Sequence, residues 1–270
     1  MPRIETMDFK GKKVRYAIEG DGEPVFLLHG YLEALEVWDD FAAELARDHQ
    51  VIRMDLPGHG ASEVIRDTHH MELLAEAARE VLDRSGADRC TMFGHSLGGY
   101  ATLAFMDLYP DRLKGFSLFH SHPFADSDAV RQKRQGEIDL VEQGKEEEIF
   151  KVNVPKLFAT DNLEAFSRQV EWVRQIAGAT PGEGIVANLK GMMQRPDRSA
   201  AVKTTGKPFL LIAGKKDNYI DYNTVIPQIE LPENGELVTL EHSGHLGFIE
   251  EKNRSLEVVR SFVRRSAGET

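Results

Sequence analysis

The sequence predicts an α/β fold with a mostly parallel, eight-stranded central sheet flanked by helices. Short apolar runs alternate with longer amphipathic stretches along most of the chain, which is the pattern of strand–helix–strand units. Several runs are continuously apolar, as in Pro24–Leu28 (PVFLL) and Pro208–Ala213 (PFLLIA). Strands buried on both faces of a parallel sheet have that composition. The alternation is interrupted once, over residues 124–207, which are helical in period, charge-rich and without a convincing strand. We therefore expect a core formed by residues 1–123 and 208–270, with 124–207 inserted as a helical lid.

The elements follow in order. Glu5–Phe9 and Lys13–Ile18 alternate in polarity around Gly11, which suggests an antiparallel hairpin at one sheet edge. Pro24–Leu28, Val51–Met54, Arg89–Phe93, Lys114–Phe119, Pro208–Ala213 and Glu236–Leu240 supply the remaining strands. Between them, Trp38, Phe41 and Leu45 form one helical stripe. Leu74, Ala77, Ala78 and Val81 form another, ended by Gly86, and Leu256, Val259 and Val263 line the last helix. Each stripe is one face packed on the sheet. Within the insertion, Leu163, Phe166, Val170, Val173 and Ala177 make a stripe closed by Gly178. Thr180-Pro181-Gly182-Glu183 fits a capping box with proline at the first helical position.

Charge excludes some functions. Lys and Arg total 33 against 44 Asp and Glu, a formal charge of −11. No basic excess exists to neutralise phosphates, so a nucleic-acid partner is not expected, and anionic lipid surfaces are disfavoured. The single cysteine, Cys90, allows no intrachain disulfide and no cysteine-based zinc cluster. The longest stretch free of Asp, Glu, Lys and Arg, Cys90–Met106, contains Gly94, His95, Ser96, Gly98 and Gly99. It falls short of the roughly 20 apolar residues of a membrane span. Met1–Lys13 carries both charge signs and no apolar run of a signal peptide, so a cytoplasmic protein is expected. Nothing in the sequence speaks to oligomeric state.

The strongest chemical signal is Gly94-His95-Ser96-Leu97-Gly98-Gly99. It follows a strand and opens the helical run Tyr100–Leu108, the context of a nucleophile elbow. The turn is so tight that small residues must flank the serine. A serine hydroxyl needs a base to take its proton, and that base needs a group to fix its tautomer. In this arrangement the chain order is serine, acid, histidine. Asp217 lies just past the strand Pro208–Ala213, with Asp221 as a rival, and His245 lies just past Glu236–Leu240, with His242 as a rival. Parallel strand ends meet on one side of a sheet, where α/β sites form. We favour Asp217 and His245. The oxyanion hole calls for two backbone N–H groups, one from Leu97 and one from Tyr31 in the loop His29-Gly30-Tyr31.

With these residues in hand, the sequence resembles the α/β-hydrolase fold family, in its lidded, serine esterase-like group. His29-Gly30, Asp55-Leu56-Pro57-Gly58-His59-Gly60-Ala61-Ser62, the Gly94–Gly98 elbow, Gly214–Asp217 and Ser243–His245 match in order. The resemblance implies Ser96 as nucleophile, Asp217 as acid and His245 as base, with no metal or organic cofactor. It implies a small or medium carboxylic ester, or a thioester, as the small-molecule substrate. The family's dehalogenases and epoxide hydrolases use an aspartate where Ser96 stands, so those activities lose support. C–C, amide or perhydrolase chemistry with the same triad, or a ligand receptor without turnover, are the alternatives. His120, His122, Phe124 and Leu246 are candidate pocket walls. His29 is expected to tie its loop down, Asp55–Ser62 to be a structural turn, Cys90 to be a small buried apolar residue, and His69-His70 to be solvated.

Overall fold

The computed structural model describes residues 2–268. Met1, Glu269 and Thr270, which the sequence reading assigned to the core, lie outside them. The sheet comprises β1 (Arg3–Phe9), β2 (Lys12–Glu19), β3 (Glu23–Leu28), β4 (His49–Met54), β5 (Cys90–His95), β6 (Leu113–Phe119), β7 (Phe209–Gly214) and β8 (Gly235–Leu240). Its order is β1-β2-β4-β3-β5-β6-β7-β8. β1 and β2 form the expected antiparallel hairpin, and β2 meets β4 antiparallel. All later neighbours run parallel, so the carboxyl ends of β3, β5, β6, β7 and β8 open on one rim.

The helices are α1 (Asp39–Leu45), α2 (Met71–Arg84), α3 (Leu97–Leu108), α4 (Asp128–Glu142), α5 (Glu146–Lys156), α6 (Ser167–Gly178), α7 (Gly182–Gln194), α8 (Ser199–Thr204), α9 (Gly247–Glu250) and α10 (Lys252–Ala267). α2 packs beside α3, and α1 beside α10. Every residue of β5 and β7 is buried, which is why those strands read as unbroken apolar runs. Trp38 stacks on Phe248 at 3.9 Å between ring centroids, joining the segment after β3 to α9.

Helices α4 to α8 all fall between β6 and β7 and contain no strand. They are anchored to the core by polar contacts. Asn188 Nδ2 donates to Pro57 O (3.0 Å), and Arg198 binds Glu72 of α2 and Asp107 of α3 at 2.6 Å each. The capping box at Thr180 does not form. Pro181 is extended, α7 starts at Gly182, and no side chain caps it. Thr180 instead donates its N–H to Ala177 O, closing the turn out of α6, and its buried hydroxyl has no partner. His69 also departs from expectation. It is fully buried, its Nε2 accepts the Ile65 N–H at 3.1 Å, and burial drives its pKa down to about 4. A turn folded beneath the insertion needed an acceptor, and His69 provides it.

Candidate active site

β5 delivers the chain to Ser96 at φ +48° and ψ −112°, and α3 starts at the next residue. A non-glycine residue rarely holds such a conformation unless its surroundings over-determine it. Here they do. Ser96 N–H donates to Phe119 O (3.1 Å), and its carbonyl accepts the Ser121 hydroxyl (2.8 Å). A Cβ on Gly98 would stand 2.5 Å from Leu28 O and 2.7 Å from His29 O, and one on Gly94 would strike Gly98 O and Thr102 Oγ1. The glycines therefore exist to let strand, turn and helix pass within backbone contact.

Past β7, the Asp217 carboxylate accepts the N–H groups of Tyr219 (2.8 Å) and Ile220 (3.0 Å) on Oδ1. Its Oδ2 lies 2.7 Å from His245 Nδ1. Burial alone would raise the Asp217 pKa. The charge and hydrogen bond of His245 and the nearby His120 ring outweigh it and hold the group well below the usual carboxylate range. An ionised carboxylate only accepts, so Nδ1 of His245 carries the hydrogen and Nε2 is the basic atom in the neutral ring. For His245, burial disfavours the charged ring, but the charge and hydrogen bond of Asp217 win, and the pKa is raised above 6.5. The rival acid, Asp221, caps the N–H of Thr224 at 2.8 Å, and His242 is exposed.

Ser96 and His245 line one cavity of about 360 Å³. No hydrogen bond within 3.5 Å joins Ser96 Oγ to the ring. Such contacts are often long until substrate tightens them. Leu97 N–H, as the first of α3, has no partner within its helix, and Tyr31 N–H makes no hydrogen bond in the protein. The loop carrying Tyr31 is held as expected: His29 Nδ1 lies 2.7 Å from Gly30 O, and its Nε2 accepts Leu56 N–H at 2.9 Å. Asp55 braces the following turn by accepting the N–H groups of Leu35 and Ala61 at 2.8 Å each.

Of the expected pocket walls, His122 and Phe124 line the cavity and His120 and Leu246 do not. His120 sits at φ +47°, is fully buried, and places Nδ1 3.0 Å from Gly214 N and 3.6 Å from Asp217 Oδ2, with Gly247 N–H 3.1 Å from Nε2. Its backbone turn swings the ring beneath the acid rather than into the cavity. Leu246 is fully buried in the apolar core. His122 is kept neutral, its pKa pushed down to about 3, first by burial and then by Arg195.

Several wall residues carried no sequence signal. Asp126 is clamped between Arg134 Nε (2.7 Å) and Arg195 (2.5 Å), and Arg195 lies over the Tyr100 ring at 3.9 Å. Glu137 of α4 accepts the Tyr31 hydroxyl (3.2 Å) and Asn153 Nδ2 of α5 (3.0 Å), while the Tyr219 hydroxyl donates to Asn153 O (2.8 Å). No motif marks them because they come from separate places along the chain: the loop before α4, α4, α5, the end of α7 and the loop after β7. Among the described residues, no group of three or more His, Cys, Asp or Glu side chains converges to hold a metal ion.

A strained serine on a strand–helix turn, at the carboxyl rim of a mostly parallel sheet, defines a class of protein rather than an individual. The chain belongs to the alpha/beta hydrolase fold family, whose model matches residues 23–252. It is similar to an esterase from Thermogutta terrifontis, with a TM-score of 0.90 and 26% identity, over 98% of this chain and 99% of that one. It is 25% identical to a 2-hydroxy-6-oxononadienedioate/2-hydroxy-6-oxononatrienedioate hydrolase of Burkholderia vietnamiensis, over 94% of this chain and 91% of that protein. With an uncharacterised protein of Mycobacterium tuberculosis it shares 32% identity over 115 residues, 42% of this chain, and the match spans 34% of that longer protein. No helix among the described residues is long and apolar enough to cross a membrane.

Proposed function

We propose that the protein is a serine hydrolase that cleaves a small or medium carboxylic ester, thioesters included, through an acyl-enzyme. The observation that carries this reading is the shared cavity of Ser96 and His245, with His245 Nδ1 2.7 Å from a buried, ionised Asp217. Ser96 Oγ attacks the carbonyl carbon while His245 Nε2 takes its proton, and Asp217 holds the ring and stabilises its charged form. The N–H groups of Leu97 and Tyr31 receive the developing oxyanion, each worth about 10² to 10³ in kcat. His245 then protonates the leaving alkoxide or thiolate, and water repeats the cycle on the acyl-enzyme. The cavity volume of about 360 Å³ suits a ligand of modest size.

Residues 124–207 serve as the lid in this reading. Phe124, Glu137, Asn153 and Met192 from that segment wall the cavity against Ser96 and His245 from the core. A second reading keeps the triad and changes the bond cleaved. It is favoured by the likeness to the Burkholderia hydrolase, whose named substrates are dicarboxylates rather than esters.

Ser96→Ala decides the nucleophile. It should abolish hydrolysis of p-nitrophenyl esters and labelling by a fluorophosphonate while leaving the melting temperature nearly unchanged. Undiminished turnover would refute the assignment. An acyl-length series of p-nitrophenyl esters then measures the reach of the cavity, and failure of every ester despite Ser96 labelling would favour the second reading.

A further inference from the structure

Behind the serine and the base lies a pair of charged-type side chains that never reach the cavity. Glu33 and His95 are both fully buried, and neither lines it. Glu33 Oε2 accepts Gly30 N–H at 2.6 Å and stands 2.9 Å from His95 Nδ1. On the other side of the ring, His95 Nε2 stands 2.8 Å from the carbonyl oxygen of His245.

The chemistry of these contacts constrains the protons. A carbonyl oxygen only accepts, so His95 Nε2 carries a hydrogen. Burial would raise the Glu33 pKa, but the charge and hydrogen bond of His95 and the Gly30 N–H lower it below its ordinary value. The proton between Glu33 Oε2 and His95 Nδ1 sits on the ring when the carboxylate is ionised, and both ring nitrogens then carry hydrogen.

We propose that Glu33 and His95 form a buried carboxylate–imidazolium brace that positions the oxyanion loop, the elbow and the base against one another. The proposal rests on the reading of Ser96, Tyr31 and His245 given above. Each end of the brace meets one of those parts: Glu33 holds Gly30, next to Tyr31, His95 precedes Ser96, and the accepting carbonyl is that of His245. Removing two ions from water is costly, so buried pairs are weak contributors to stability. Its use is to hold three segments in register. The groups facing His95 from packed elements are Glu33, the His245 ring (4.9 Å between centroids), the His120 ring (6.1 Å), Phe248 (5.1 Å) and Trp38 (6.3 Å). His120 is itself held neutral, pushed down to about 4 first by burial. His29, near Glu33, is also lowered, again first by burial. Glu33 is thus the anion in direct contact with the ring.

The test combines nitrogen NMR of the full chain, labelled with ring-15N histidine, with kinetics on p-nitrophenyl butyrate. At pH 7 both His95 nitrogens should appear protonated, the signals being assigned by their loss in His95→Asn. Glu33→Gln preserves shape but removes the charge. It should leave one His95 nitrogen unprotonated and lower kcat by about 10²-fold with KM little changed, because the shift falls on donors used in the transition state. A neutral His95 in the wild-type protein overturns the brace, and that spectrum depends on no variant folding. Wild-type kcat in folded Glu33→Gln overturns it equally. Activity surviving Ser96→Ala instead removes the catalytic reading beneath it, a result visible without touching Glu33.

Discussion

Asp217 must stay charged inside the protein, and its surroundings are arranged for that. Two N–H groups and two histidines face one carboxylate that burial alone would neutralise. Asp217→Asn should leave the fold intact and lower kcat by about 10⁴-fold, because the ring loses the partner that fixes its tautomer. Asp221→Asn, which touches only a turn, should keep kcat near that of wild type. Steady-state rates on one ester separate the two. The pH profile follows from His245. In the proposed mechanism His245 works as base only when neutral, and Asp217 raises its pKa above 6.5. Activity is therefore lost as pH falls through that raised value, and kcat/KM should climb with a midpoint above 6.5. A midpoint below it would mean that Asp217 does not act on the ring. Ser96, Asp217 and His245 could be proposed from the sequence because each follows an apolar strand by a few residues, and the structure brings Asp217 against His245 and sets Ser96 and His245 on one cavity. The Glu33–His95 contact was not, since it joins positions 62 apart with no motif between them. His120 misled for a related reason: its place at a strand end suggested the cavity, while its positive φ, which no sequence pattern announces, sends the ring under Asp217.

Among the elements, the β5–α3 junction is the least tolerant of change. Gly98→Ala would press a methyl group against the Leu28 and His29 carbonyls. We expect a cost of about 1–3 kcal/mol from overpacking, read as a lower melting temperature, together with slower fluorophosphonate labelling of Ser96. Labelling at the wild-type rate would show that the turn can relax. Strands and sheet-facing helices could be read from periodicity because burial on one or both faces imposes it. The start of α7 could not. Thr180 had the composition of a helix cap, but its N–H was already committed to ending α6. Local sequence states what a residue is able to do; the competing use is set by the neighbouring element.

For the whole molecule, the proposed triad and much of the cavity wall come from different stretches of chain. The roof hangs on polar links, from Tyr31 and Tyr219 of the core to Glu137 and Asn153 of the insertion. Asn153→Ala should lower stability by about 1 kcal/mol and move the preferred acyl length upward, since a wall side chain is lost while the triad is untouched. An unchanged acyl-length profile would argue that Asn153 only supports the roof.

β6 and β7 are neighbours in the sheet, with Phe119 paired to Ile212, yet α4 to α8 lie between them in sequence. The chain thus leaves the sheet and comes back beside its own point of departure. A foreign helical segment grafted at this doorway would have to meet two adjacent exits and replace the anchors to Pro57, Glu72 and Asp107; under the proposed function, such an exchanged cassette would change the substrates accepted while Ser96, Asp217 and His245 stay where they are.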